Sequence, residues 1–135
     1  MTQEEKKLLL KDLCARGPHG VICQFIWTFS NETTNENVIT KGDDIIKCID
    51  ICTEEIQANY YGEWVDLEHC KPYLRPMSSM TEEETDRMWE IYESGPAAES
   101  SVAVTEYLYG RYLDCHHLIE KGFALEAPED MYKTE

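Results

Sequence analysis

Cys115-His116-His117 is the densest run of metal-capable side chains in the 135-residue chain. Zinc needs three or four ligands converging on one point. Neighbours on a helix diverge by about 100°, so this run makes a metal centre only on irregular backbone. Cys48 and Cys52 have three residues between them, which is not a zinc-knuckle spacing, and on a strand their thiols would stand about 13 Å apart. Cys14, Cys23, Cys48, Cys52, Cys70 and Cys115 therefore read as small free hydrophobes. His19 and His69 sit in turn-like contexts where surface or capping roles suffice. Nucleophilic chemistry needs an activated Ser or Cys with a base. There is no G-x-S-x-G and no glycine-rich phosphate loop. No catalytic residue, metal or cofactor is assigned, and the expectation is a non-enzymatic protein.

Two charged constellations point to binding. Glu82, Asp86, Glu90 and Glu93 are spaced four, four and three, which puts them on one face of a helix. Like charges at that spacing weaken a helix slightly, Glu83 and Arg87 offset part of it, and the helix dipole favours the acids of the first turn. Such a face is either solvated or docks a basic surface. Lys71, Tyr73 and Arg75 form a basic-aromatic spot on an acidic protein. They either anchor a connector or receive an anionic ligand or a partner's carboxylate.

Net charge is −15. Residues 1–75 hold eight Lys/Arg against thirteen Asp/Glu, and residues 76–135 hold four against fourteen. A field of this sign repels phosphate backbones and anionic lipid and attracts basic proteins, so neither direct nucleic-acid nor membrane binding is expected. Met1 to Lys7 has no apolar secretory core, and no apolar run reaches membrane-spanning length. Both point to a reducing, cytoplasmic setting.

The elements that would position these residues follow from capping and periodicity. Thr2-x-x-Glu5 is a capping box, and Leu9, Leu10, Leu13 and Cys14 recur at helical spacing. A helix is predicted over about residues 3–16, closed by Gly17-Pro18, with Leu9 and Leu13 in the core. Val21 to Phe29 alternates as a strand whose Val21, Cys23, Phe25, Trp27 and Phe29 face inward. A turn-like stretch follows, then a strand from Val38, a turn or bulge at Gly42-Asp43-Asp44, and a further strand over Ile45 to Cys52 interrupted by Lys47. Tyr60 to Val65 reads as a last short strand. Lys71 to Pro76 reads as a hinge. Ser79-x-x-Glu82 and Thr81-x-x-Glu84 are alternative capping boxes for a helix carrying Met88, Ile91 and Tyr92 on its apolar stripe. A second helix is expected from Ser100 or Ser101 to about Gly110. A short third would span Asp114 to Lys121, closed by Gly122, and a polar tail from Pro128 would fray at its end.

The predicted fold is a single α+β domain over residues 1–135. It comprises an N-terminal helix, a small antiparallel sheet with the option of curling into a partly open barrel, and two to three C-terminal helices.

Three segments carry a resemblance: MTQEEKKLLLKDLCARGPHG at Met1 to Gly20, KPYLRPMSSMTEEE at Lys71 to Glu84, and LIEKGFALEAPEDMYK at Leu118 to Lys133. On these the chain resembles a group of small uncharacterised proteins of gut Bacteroidales, their prophages and phages. Gly17 and His19 stand where that group tends to have Leu and Tyr. The resemblance implies a phage or mobile-element context and supplies no activity. Together with the acidity it leads to the expectation of an accessory protein that binds a protein partner, with a basic surface as the complement to its charge. The alternative is a small-ligand or nucleotide-binding protein with a pocket near the hinge. The sequence leaves oligomeric state open.

Overall fold

The computed structural model describes residues 1–132, and of Ala98 the backbone alone. The last residues of the predicted tail, 133–135, lie outside the described residues. The chain divides into two compact units, Met1–Tyr73 and a second beginning at Leu74. Helices and strands together make it an α+β protein. No helix of the described residues is long and apolar enough to cross a membrane.

In the first unit, α1 spans Gln3–Arg16. Its capping box forms as predicted: the Glu5 amide donates to Thr2 Oγ1 at 3.1 Å, and the Thr2 amide donates to Glu5 Oε1 at 2.8 Å. Five strands follow: β1 (Ile22–Asn31), β2 (Glu36–Asp50), β3 (Glu55–Ala58), β4 (Trp64–Asp66) and β5 (Cys70–Leu74). They pair antiparallel in the order β4-β3-β2-β1-β5. The strands curl, so that β4 and the short turn at Leu67–His69 come against β1. Leu9 and Leu13 of α1 are buried with Val21, Cys23, Phe25, Ile56, Ala58, Val65 and Leu67. Each large aliphatic side chain sealed in such a core contributes about 1.5–3 kcal/mol.

The structure corrects the predicted strands in four places. The inward face of β1 holds only as far as Phe25. Trp27 is half-buried and Phe29 is 51% exposed, because β5 pairs with β1 only from Cys23 to Phe25. Gly42-Asp43-Asp44 is neither turn nor bulge, since β2 runs straight through it. The irregularity falls at Lys47 instead, where the ladder passes from Ile46–Ala58 directly to Cys48–Gln57. That extra residue reverses the alternation, so Ile46 and Ile49 share the face of buried Ala58 and Ile56 while Ile45 and Ile51 are exposed. Finally, residues 54–65 form two strands around a turn. Tyr60 and Tyr61 lie in the turn, with Gly62 at φ 69°, and the predicted hinge residues 71–74 are themselves strand. Pro72 stands within the β1–β5 ladder, opposite Cys23.

In the second unit, the Leu74 carbonyl accepts from the Ala127 amide at 2.8 Å, next to the two-residue strand β6 (Leu125–Glu126). Arg75 and Leu113 form a parallel bridge, so pairing across the chain is mostly and not wholly antiparallel. Two helices, α2 (Glu82–Glu93) and α3 (Ala97–Gly110), pack on each other. Of the two capping boxes, Thr81–Glu84 is the one used, with the Glu84 amide 3.1 Å from Thr81 Oγ1. α3 begins three residues earlier than predicted because Pro96 stands at its N-cap, and its Ser100 hydroxyl donates to the Gly95 carbonyl. The predicted third helix does not form. The Asp114 carboxylate instead draws in the Leu118 and Ile119 amides at 2.8 and 3.0 Å, fixing a series of turns that end on Gly122 at φ 81°. Leu108, Tyr109, Leu113, Leu118 and Ala124 form the core, and Tyr112 stacks on Tyr132 with ring centres 3.8 Å apart.

Candidate functional site

The acidic row is on the surface of the second unit. Glu82, Asp86, Glu90 and Glu93 of α2 are all exposed. Trp89 belongs to the same face: it is seven residues after Glu82, three after Asp86 and four before Glu93. Its ring is 51% exposed and meets Tyr92, itself 48% exposed, edge to face at 5.7 Å. Tyr92 therefore leaves the predicted apolar stripe, and Met88 and Ile91 keep it. Arg87 lies on the far side of the row and pairs with Glu90 at 3.0 Å in the open. The last turn of α2 holds no basic residue. Glu90 and Glu93 thus face the negative end of the helix dipole, where carboxylates are disfavoured. Helix stability accounts for Glu82 in the first turn but not for Glu90 and Glu93, and sequence spacing alone could have placed Trp89 on this face.

Lys71 and Tyr73 belong to the first unit and Arg75 to the second. Lys71 pairs with Gln24 in the β1–β5 ladder, and Tyr73 Oη donates to Asp43 Oδ1 at 2.8 Å. Burial, followed by the Asp43 contact, pushes the Tyr73 phenol up, so it stays protonated. Arg75 lies in the second unit and grips Glu84 with both terminal nitrogens, at 2.8 and 2.7 Å. It also donates to the Ser79 and Arg111 carbonyls, at 3.1 and 3.2 Å. Arg111 Nε adds a third contact to Glu84 at 2.8 Å. The Arg75 hydrogen bonds, and after them Arg111 and the Thr81 amide, hold the Glu84 carboxyl well below the usual carboxylate range against the opposing effect of burial. Glu84 is thus cap and ion-pair hub together, and both arginines hold the start of α2 in place.

His116 Nε2 lies 2.7 Å from Tyr109 Oη, and His117 takes a left-handed φ of 57°. Cys23 and Cys70 are fully buried. Burial, then hydrogen bonding with the Cys70 thiol, raises the Cys23 thiol well above its ordinary value, which keeps it neutral and unreactive. Cys48 and Cys52 are exposed, Cys52 in the turn after β2.

The first unit holds a cleft of about 480 Å³ that the sequence did not point to. One wall is the β1 stretch from Ile26 to Phe29. The other is Glu55 of β3, Glu63, and the β4 residues Trp64, Val65 and Asp66, with His69 nearby. The signal in the sequence was hidden because it lies in residues 54–66, whose two short strands had to be resolved before Glu55 and Asp66 could be seen to pair.

No family model, curated protein or solved structure matches the chain, so function is argued from these two surfaces.

Proposed function

We propose that the chain is a non-enzymatic accessory protein of a phage or mobile element that binds a protein partner through the exposed face of α2. The observation that carries this is Trp89 set among Glu82, Asp86, Glu90 and Glu93 with half its surface in water. A large aromatic ring at the edge of a row of carboxylates is the complement of a Lys- or Arg-bearing surface. The ring supplies apolar area and a cation–π face, and the carboxylates supply steering and charge-assisted hydrogen bonds. The net charge of −15 favours the same kind of partner and disfavours nucleic acid. The mobile-element setting rests on the resemblance of the three segments quoted above.

Affinity capture from a Bacteroidales host tests this, using three baits: the wild type, Trp89→Ala, and a variant with Glu82, Asp86, Glu90 and Glu93 all changed to Gln. The expected result is a captured protein with a basic surface, recovered at least tenfold less with either variant and less at high salt. Equal recovery by all three baits removes α2 from the interface.

A further inference from the structure

We propose that the cleft of the first unit is a binding site for an organic cation, an alkylammonium or guanidinium group. Glu55 and Asp66 are direct partners in the β3–β4 ladder, so their side chains leave the same face of the sheet at adjacent positions. Like charges placed directly opposite weaken a sheet, and nothing in the fold of these strands requires the pair. Among the described residues, no hydrogen bond or ion pair engages the carboxylates of Glu55, Glu63 or Asp66. The nearby Lys6 pairs with Glu54 and Glu68 instead, at 3.9 Å each. Three aromatic rings share the lining with Ile26, Thr28, Val65 and His69: Trp27 and Phe29 on one wall and Trp64 on the other, with Phe29 and Trp64 both substantially exposed.

Carboxylates beside open aromatic faces hold cations that carry carbon. No three of Glu55, Glu63, Asp66 and His69 bring ligand atoms within 4.8 Å of one another, which is too dispersed for a bare metal ion. The volume is that of a small-molecule cleft, and no Lys or Arg lines it, so an anionic nucleotide is the wrong occupant. The same group could arrive as a free polyamine or as the side chain of a basic peptide. This site is independent of α2 and stands or falls apart from it.

The test is an NMR titration of the full chain at physiological salt, following the Trp64 indole N–H. One arm uses spermidine, the other the peptide acetyl-Ala-Lys-Ala-Lys-Ala-amide. A saturable shift is expected in at least one arm. Saturation with spermidine alone assigns a free amine, and saturation with the peptide assigns a partner's side chain. A Glu55→Gln/Asp66→Asn variant, relieved of its facing charges and so still folded, should bind at least tenfold more weakly. A Glu82→Gln/Glu90→Gln variant should bind as the wild type does. The proposal is overturned if neither arm shifts Trp64, if the cleft variant binds undiminished, or if the α2 variant loses the effect, which would mark it as general attraction to an acidic surface.

Discussion

Arg75 and Glu84 meet as two parallel forks, Nη1 to Oε2 at 2.8 Å and Nη2 to Oε1 at 2.7 Å, while the same Oε1 accepts from the Thr81 amide at 3.0 Å. One carboxylate thus closes the capping box of α2 and secures the strand segment before it. Replacing Glu84 with Gln keeps the volume and removes the charge. It leaves a 21% exposed guanidinium without its bidentate acceptor, and weakens a second contact to the half-exposed Arg111. Hydrogen bonds to charged groups are worth about 1.5–3 kcal/mol, and the Arg111 share is small because water screens it. We expect a loss of about 2 kcal/mol, read from the midpoint of urea denaturation followed by circular dichroism.

The same carboxylate gives the protein an acid sensitivity of definite sign. Glu84 has a folded pKa well below its unfolded value of about 4.3, so its contribution is complete above about pH 5 and drains away as pH falls toward the folded value. The melting temperature of the wild type should fall steeply below about pH 4. That of Glu84→Gln should fall less over the same interval. Parallel curves for the two proteins would show that other carboxylates govern the acid limb.

Gly42 is held by sterics rather than by backbone conformation. A Cβ there would lie 2.8 Å from Cε2 of Tyr61 and 3.2 Å from Cη2 of Trp27. The two rings pack with centroids 5.1 Å apart, and the Asp44 carboxylate fixes the turn by accepting from the Tyr60 and Tyr61 amides. Gly42→Val should expel Tyr61 from this position. The cost is about 1 kcal/mol, since Tyr61 is exposed enough to move and valine suits a strand. Loss of near-ultraviolet circular dichroism with retained far-ultraviolet signal checks it.

The sequence was most readable where local chemistry decides. Thr2 and Glu5, and Thr81 and Glu84, mark helix starts because the groups that satisfy the terminal amides sit within three residues of them. It was least readable where a distant contact decides. Gly42 looked like a turn because its reason for being glycine is Tyr61, nineteen positions on. Asp114 looked like a helix start, yet its carboxylate is spent on amides four and five residues away in a turn. Pro72 suggested a connector, yet it stands in a ladder opposite Cys23, and that partner lies 49 positions away in the chain. The acidic row of α2 could be read from spacing. The Glu55–Asp66 pair could not, because cross-strand register is set by the turn at residues 59–63 and not by either strand.

The extra residue at Lys47 also matters at the level of the gene. β2 meets β1 before it and β3 after it, and with it in place Ile46 and Ile49 both face the core. Substitutions at Lys47 itself should be accepted freely, since its side chain is exposed. Loss of its single codon would also be absorbed: Ile46–Ala58, Cys48–Gln57 and Ile49–Ile56 would follow one another as an unbroken ladder, with Ile46 and Ile49 still on the core face and only the local bend lost. In natural variants of this chain, therefore, position 47 should drift in letter and even be lost, whereas an insertion or deletion at Ile49 should not be found.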